Sequence, residues 1–273
     1  MKNIKYLIQF LSIIFLFTIY KILGLKYSLK ISGKIFSIFG PFFRSKNICK
    51  INLSRVFPKL TQSEQEQIIK NMWINYGKIF AEYPFIKDFR SSDKINKITI
   101  ENKMYLDEIK NDKNPAIFIS GHFNNFELMA MSIENSGIDL ATIYRPLNNI
   151  FLNPIMEKLR KKYICKKQIK KGISGTKELL QHFKNGSSIA LMIDQRVSQG
   201  IKSDLFNTSA LTTTIPAQFS KKYNAKIVPV YIERSETNDF NLKIYKPLIF
   251  DDSETISSIT SKLNKILEKM ILT

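Results

Sequence analysis

Cysteine is almost missing from this chain: Cys49 and Cys165 are the whole supply, far apart and outside any CxxC spacing. That excludes a disulfide framework and a thiolate zinc site, and it makes a reducing compartment the default for the globular part. Phosphate-binding and metalloprotease signatures are missing too. No GxxxxGK[ST], GxGxxG or HExxH occurs, so neither a nucleotide cofactor nor a catalytic metal is expected. Histidine is scarce, with only His122 and His182. The most informative shortage is of carboxylates: the first acidic residue is Glu64, so the opening 63 positions carry unbalanced lysine and arginine. No internal repeat or low-complexity linker marks a second globular domain, so residues 46–273 read as one domain and residues 1–45 as an N-terminal extension.

What is present can bury a full core. The chain has 273 residues, 44% of them hydrophobic and 12% aromatic, which suits one large domain. A formal charge of +19, from 42 Lys and Arg against 23 Asp and Glu, suits anionic partners such as lipid headgroups, nucleic acid or an acidic carrier protein. The basic residues surround apolar anchors rather than aromatic stacking platforms, which argues against nucleic acid.

Residues 4–23, IKYLIQFLSIIFLFTIYKIL, are apolar apart from Lys5, Gln9 and Lys21. About 20 such residues are needed to cross the hydrocarbon core. Lys5 and Lys21 lie near the ends, where their stems can snorkel, so a single span and a deeply embedded interfacial helix both fit. A cleaved signal peptide is the competing reading, but no A-x-A-like site follows. Residues 26–44 interleave Lys26, Lys30, Lys34 and Arg44 with Ile31, Phe36, Ile38, Phe42 and Phe43, the composition of a basic interfacial helix. An ordinary helix packed on the domain is the alternative. If the first helix spans, the Lys and Arg after it put the main domain in the cytoplasm.

Further on, Thr61 and Ser63 each stand three residues before a glutamate, Glu64 and Glu66, so either fits a capping box. The helix that follows runs towards Tyr83, with Ile69, Met72, Trp73, Tyr76 and Phe80 on one face. Four apolar runs read as strands: 116–120, 140–144, 188–193 and 226–232. Helical patterns between them predict an α/β fold with a mostly parallel sheet flanked by helices. A further strand at 242–244 precedes a last helix over about 253–272.

The strand AIFIS leads into GHFNNFE, residues 121–127. Open α/β sheets bind ligands at the C-terminal ends of their strands, so His122 is the candidate general base and Glu127 its candidate carboxylate. Five residues apart, the two would diverge by about 140° within one helix. They can meet if His122 precedes the helix and Glu127 lies inside it. A carboxylate on one imidazole nitrogen fixes the tautomer and frees the other nitrogen to take a proton from an alcohol. The duller reading is a satisfied loop histidine with a solvent-facing glutamate. His182, in a polar helical pattern, reads as a surface residue.

Here the chain resembles the lauroyl and myristoyl late acyltransferases of lipid A biosynthesis. The matching stretches are NLSRVFPKLTQSE with NMWINYGKIFAEY in residues 52–83, GHFNNFE, IYRPLNN in 143–149, and MIDQR followed by ALTTTIPA in 192–217. The resemblance implies acyl transfer from an acyl carrier protein thioester to a hydroxyl of a membrane-bound lipid A precursor, without a cofactor. It implies a bacterial inner-membrane location, with an N-terminal anchor and the catalytic domain on the cytoplasmic side. It makes His122 the base, Glu127 its partner, and Asn125, Arg145, Asp194 and Gln195 substrate-binding residues. Two departures stand out: Arg196 where the family commonly has Asp, and Leu205-Phe206-Asn207 where it has Phe-Phe-Gly. These leave the acyl-chain length and the acceptor open.

Residues 157–171 hold eight Lys or Arg against Glu157 alone. Most read as a solvated helix face, and some as a dock for an acidic carrier or glycolipid phosphates. The alternatives that stay open are an acyltransferase acting on another lipid acceptor, of glycerol phosphate type for instance, and a non-catalytic basic membrane-surface protein.

Overall fold

A computed structural model describes residues 2–42, 46–91, 98–112 and 114–273; Phe43 and Arg44 of the expected basic helix lie outside the described residues. The chain divides into two compact units, residues 1–88 and 89–273.

In the first unit, α1 (Lys2–Phe39) runs through the apolar segment and on into the basic one, with a break at Gly24 (φ 76°). A positive φ of that size costs a glycine little and other residues more. Ser28 Oγ caps the break by donating to the carbonyls of Tyr20 and Gly24. Before the break, apolar side chains such as Ile8 and Phe15 are exposed. Among the described residues this is the one helix long and apolar enough to cross a membrane, judged by length and composition. After the break, Ser28, Leu29, Ser32 and Gly33 are buried, while Lys26, Lys30 and Lys34 are not. α2 (Lys46–Val56) precedes α3 (Gln62–Glu82). Thr61 wins the capping position: its Oγ1 accepts from Glu64 N–H, and the Glu64 carboxylate accepts from Thr61 N–H at 2.7 Å. α3 then packs against α1, where Ser32 Oγ donates to the Gly77 carbonyl at 2.6 Å and Phe80 stacks among Phe17, Tyr20 and Phe36.

α4 (Ile86–Ser91) leads into the second unit. There follow β1 (Ile98–Glu101), α5 (Met104–Asn111), β2 (Ile117–Ser120), α6 (Glu127–Asn135), β3 (Leu140–Tyr144), α7 (Leu152–Tyr163), β4 (Lys167–Lys170), α8 (Ile173–Lys184), β5 (Ser188–Met192), β6 (Ile201–Leu205), β7 (Thr208–Thr212), α9 (Ile215–Tyr223), β8 (Ile227–Arg234), β9 (Phe240–Ile244) and α10 (Ile256–Leu272). The main sheet has the order β1-β9-β8-β2-β5-β3-β4, parallel except for the β8–β9 pair. The mostly parallel α/β architecture is therefore present as expected. Ile117 and Ile119 of β2 join Leu179 and Phe183 of α8, Phe219 of α9 and Leu263 and Leu267 of α10 in one core. The central strands β2 and β5 are buried on both faces, which is why they read as unbroken apolar runs rather than alternating ones.

Several elements carry no clear sequence signal. β1 and β4 are edge strands of four residues, and KQIK carries too few apolar side chains to declare itself. β6 and β7 form a separate hairpin whose two-residue turn is Phe206-Asn207, both at positive φ (50° and 56°). Such a turn favours Gly, Asn or Asp, so Phe206 conceals it. Its N–H is fixed by Glu268 Oε1 at 2.6 Å.

Candidate active site

The site begins with register. β2 and β5 run parallel with Ser120 opposite Met192, and Ile193 N–H extends the ladder to the Ser120 carbonyl at 2.9 Å. Two residues beyond each strand end stand His122 and Asp194, so the pairing delivers them to one another at the C-terminal edge of the sheet. One Asp194 oxygen accepts from the His122 backbone N–H at 2.9 Å, and the other lies 2.7 Å from Nδ1. Both side chains are partly exposed, at 30% and 24%.

The loop between β2 and α6 is built to present that imidazole. Phe123 N–H turns back to the Gly121 carbonyl at 2.8 Å, and a Cβ at Gly121 would come within 2.9 Å of the Phe123 ring. Phe123 stacks edge-on against Tyr231 of β8. Asn124 takes a left-handed conformation (φ 41°), which asparagine tolerates better than most residues, and its amide donates to the Ile232 carbonyl at 3.3 Å. Phe126 meets the His122 ring edge-on at 4.7 Å between centroids. With its proton on Nδ1 donated to Asp194, the imidazole keeps a lone pair on Nε2, where the exposed Gln195 amide nitrogen lies 3.4 Å away.

Glu127, expected as the carboxylate for His122, opens α6 and is buried. Its Oε1 accepts from Arg160 Nε at 2.8 Å and Nη2 at 2.6 Å. The carboxylate hydrogen-bonded to Nδ1 is that of Asp194, a residue that the family resemblance groups with substrate binding. Asn125 is buried at the foot of α6, its backbone carbonyl accepting from Leu128 N–H. Arg145 follows β3 at the same sheet edge and is exposed. His182 lies on α8, 3.9 Å from Glu178.

Arg160 is a residue that sequence reasoning does not single out. It is hidden among eight cations, yet it falls four residues after the buried Met156 and so on the inner face of α7. Tyr144, at the end of β3, donates its hydroxyl to Glu157 at 2.5 Å, and Asn153 donates to the same oxygen at 2.8 Å. These bonds fasten α7 to the edge that carries Arg145. Burial and the Glu157 carboxylate push the Tyr144 hydroxyl far above its ordinary range, so it keeps its proton and the donated bond to Glu157.

Cys165 contributes no nucleophile. It is fully buried, its thiol donates to the Leu140 carbonyl at 3.0 Å, and burial pushes it up to about 12. Covalent catalysis needs a thiolate. The arrangement therefore offers a base held by a carboxylate, at a sheet edge that also carries Arg145, and Cys165 adds no activated nucleophile to it. It suits proton removal from a substrate that brings its own nucleophile.

Comparison with known proteins agrees with that chemistry. The family model described as "Bacterial lipid A biosynthesis acyltransferase" matches residues 1–273. A protein of Haemophilus influenzae named "Lipid A biosynthesis acyltransferase" is 24% identical over 246 residues, covering 88% of this chain and 77% of that protein.

Proposed function

Because the chain belongs to the bacterial lipid A biosynthesis acyltransferase family, we propose that it moves a fatty acyl group from an acyl carrier protein thioester to a hydroxyl of a lipid A precursor, with His122 as general base. The observation that carries this reading is the 2.7 Å contact between His122 Nδ1 and Asp194. It holds the imidazole in the tautomer whose Nε2 accepts a proton. As the acceptor oxygen attacks the thioester carbonyl carbon, its proton passes to Nε2. The C–S bond then breaks, and the imidazolium returns the proton to the departing thiolate, leaving an ester and a free thiol. Asp194 stabilises the imidazolium between the two transfers, as the carboxylate of a triad does.

The tetrahedral oxyanion needs a donor or cation placed in advance. Arg145 and the Gln195 amide, whose nitrogen lies 3.4 Å from Nε2, are the candidates. Glu127 acts with Arg160 as a positioning pair, fixing the start of α6 directly after the histidine loop. The apolar part of α1 anchors the chain in the inner membrane, and the lysines after Gly24 keep the second unit on the cytoplasmic side.

Mass spectrometry of lipid A from cells with and without the gene tests the reading. Loss of one acyl chain is the expected result, and its mass gives the donor length. Unchanged lipid A beside altered phospholipids would move the activity to another acceptor.

A further inference from the structure

α7 carries a stripe that the acyl-transfer chemistry does not use. Phe151, Ile155, Lys158 and Lys162 follow one another at spacings of four, three and four, so they lie along one side of the helix. All four are exposed. The first two are apolar and the last two cationic. Leu147 and Ile150, in the loop leading from β3, extend the apolar end, with Ile150 54% and Ile155 42% exposed. The opposite side of the helix is the one that buries Met156 and holds Arg160 on Glu127.

This loop is fixed rather than loose. Asn149 Oδ1 accepts from the N–H groups of Phe151 and Leu152 at 3.0 and 3.1 Å, and Asn153 Oδ1 accepts from Leu147 N–H at 2.7 Å. Asn149 thus satisfies the N–H groups at the start of α7 and Asn153 ties the loop back to the helix, and the apolar side chains are held outward at a cost in solvation. Isolated exposed apolar residues are ordinary, but a contiguous group with a cationic rim marks an interaction surface.

From these observations we infer that the β3–α7 loop and the outer side of α7 form a second lipid-contacting surface, seated in the anionic headgroup layer beside the catalytic edge. The inference rests on the reading that the acceptor is a membrane lipid. Apolar Leu147, Ile150, Phe151 and Ile155 match the headgroup–acyl boundary, and Lys158 and Lys162 match anionic headgroups. The loop starts from the same edge of the sheet as His122, so an acceptor hydroxyl can reach the base while its acyl chains stay in the bilayer.

Depth-sensitive labelling of the full chain tests this. Ile150→Cys in a Cys49→Ser background takes an environment-sensitive fluorophore, since the buried Cys165 stays unlabelled. Ile249→Cys serves as the control: Ile249 is 67% exposed and follows Leu248, which pairs with Ile227 at the opposite end of β8. Both are reconstituted into phosphatidylethanolamine–phosphatidylglycerol vesicles containing doxyl-labelled lipid. At position 150 the fluorescence should shift to the blue, be quenched by the doxyl lipid and be shielded from iodide; at 249 iodide should quench freely. Adding Lys158→Gln and Lys162→Gln should raise the phosphatidylglycerol fraction needed for the same quenching. Equal iodide quenching at 150 and 249 would overturn the inference. Shielding that appears only when acyl carrier protein is added would also overturn it, giving the surface to the protein. Acyl transfer is measured on the same samples: transfer without lipid quenching removes only this surface, and quenching without transfer removes the acyltransferase reading.

Discussion

Asp194 holds His122 at two points, accepting from its backbone N–H at 2.9 Å with one oxygen and lying 2.7 Å from Nδ1 with the other. The first contact sets the height of the loop and the second sets the rotation of the ring. Loss of a general base costs about 10² to 10⁴ in rate, so folded His122→Ala should be close to inactive. Asp194→Asn should fall by a comparable factor, because an amide cannot stabilise the imidazolium and can reverse the tautomer. His182→Ala should behave as wild type. Transfer from acyl carrier protein to lipid, measured for all three beside circular dichroism, decides the matter; near-normal rates in His122→Ala reject the mechanism.

The Glu127–Arg160 pair is buried, with side-chain exposures of 8% and 13%. Breaking one side of such a pair typically costs about 3–5 kcal/mol, whereas replacing both is often close to neutral. Glu127→Gln should therefore melt early and transfer poorly. Combining it with Arg160→Met should restore most of the melting temperature but not the rate. Full recovery of both would make the pair purely structural.

For Arg145, a change to Lys keeps the charge and loses the planar fork. Its turnover at saturating donor and acceptor should drop clearly with no change in melting temperature, as expected for an exposed side chain. Wild-type turnover would show that a simple cation, or none, is sufficient there.

Membrane attachment should survive a high-salt wash. Lys26, Lys30 and Lys34 reach solvent and are screened by salt, while the apolar segment before Gly24 is not. Full-length protein should stay in the pellet through about 1 M salt, where the screening length is on the order of 3 Å. Quantitative release into the supernatant would end the anchor reading.

Cys165 gives a pH-dependent prediction. Its folded thiol lies at about 12, raised by burial from an ordinary 9.0. A raised value means that the unfolded chain loses this proton first as pH rises. The thiol's contribution is then complete below the ordinary value and is lost between there and about 12. At pH 8 iodoacetamide should modify the half-buried Cys49 alone, and Cys165 only after unfolding. Modification of both thiols in the native enzyme at equal rates would contradict the buried placement.

Much of the fold is legible in the order of residues. The run at 140–144 is β3 to the residue, and those at 188–193 and 226–232 are β5 and β8 within two residues at each end. Each is an apolar run long enough to be buried from both sides. Short edge strands and the hairpin turn at Phe206 are not legible, because edge positions accept polar residues and the turn uses a residue that rarely takes positive φ.

Local features need nothing beyond the chain itself: an apolar first helix without carboxylates, the strand that ends at Ser120, and a histidine placed just beyond it. Which carboxylate meets that histidine is a matter of packing. Glu127 is five residues away in the chain and Asp194 is 72, yet β5 lies beside β2 in parallel register and carries Asp194 to Nδ1. Strand order is a property of how whole layers pack, and no spacing within the GHFNNFE segment encodes it. The same holds for Arg160, whose charge is plain in the sequence but whose partner depends on the side of α7 that faces α6.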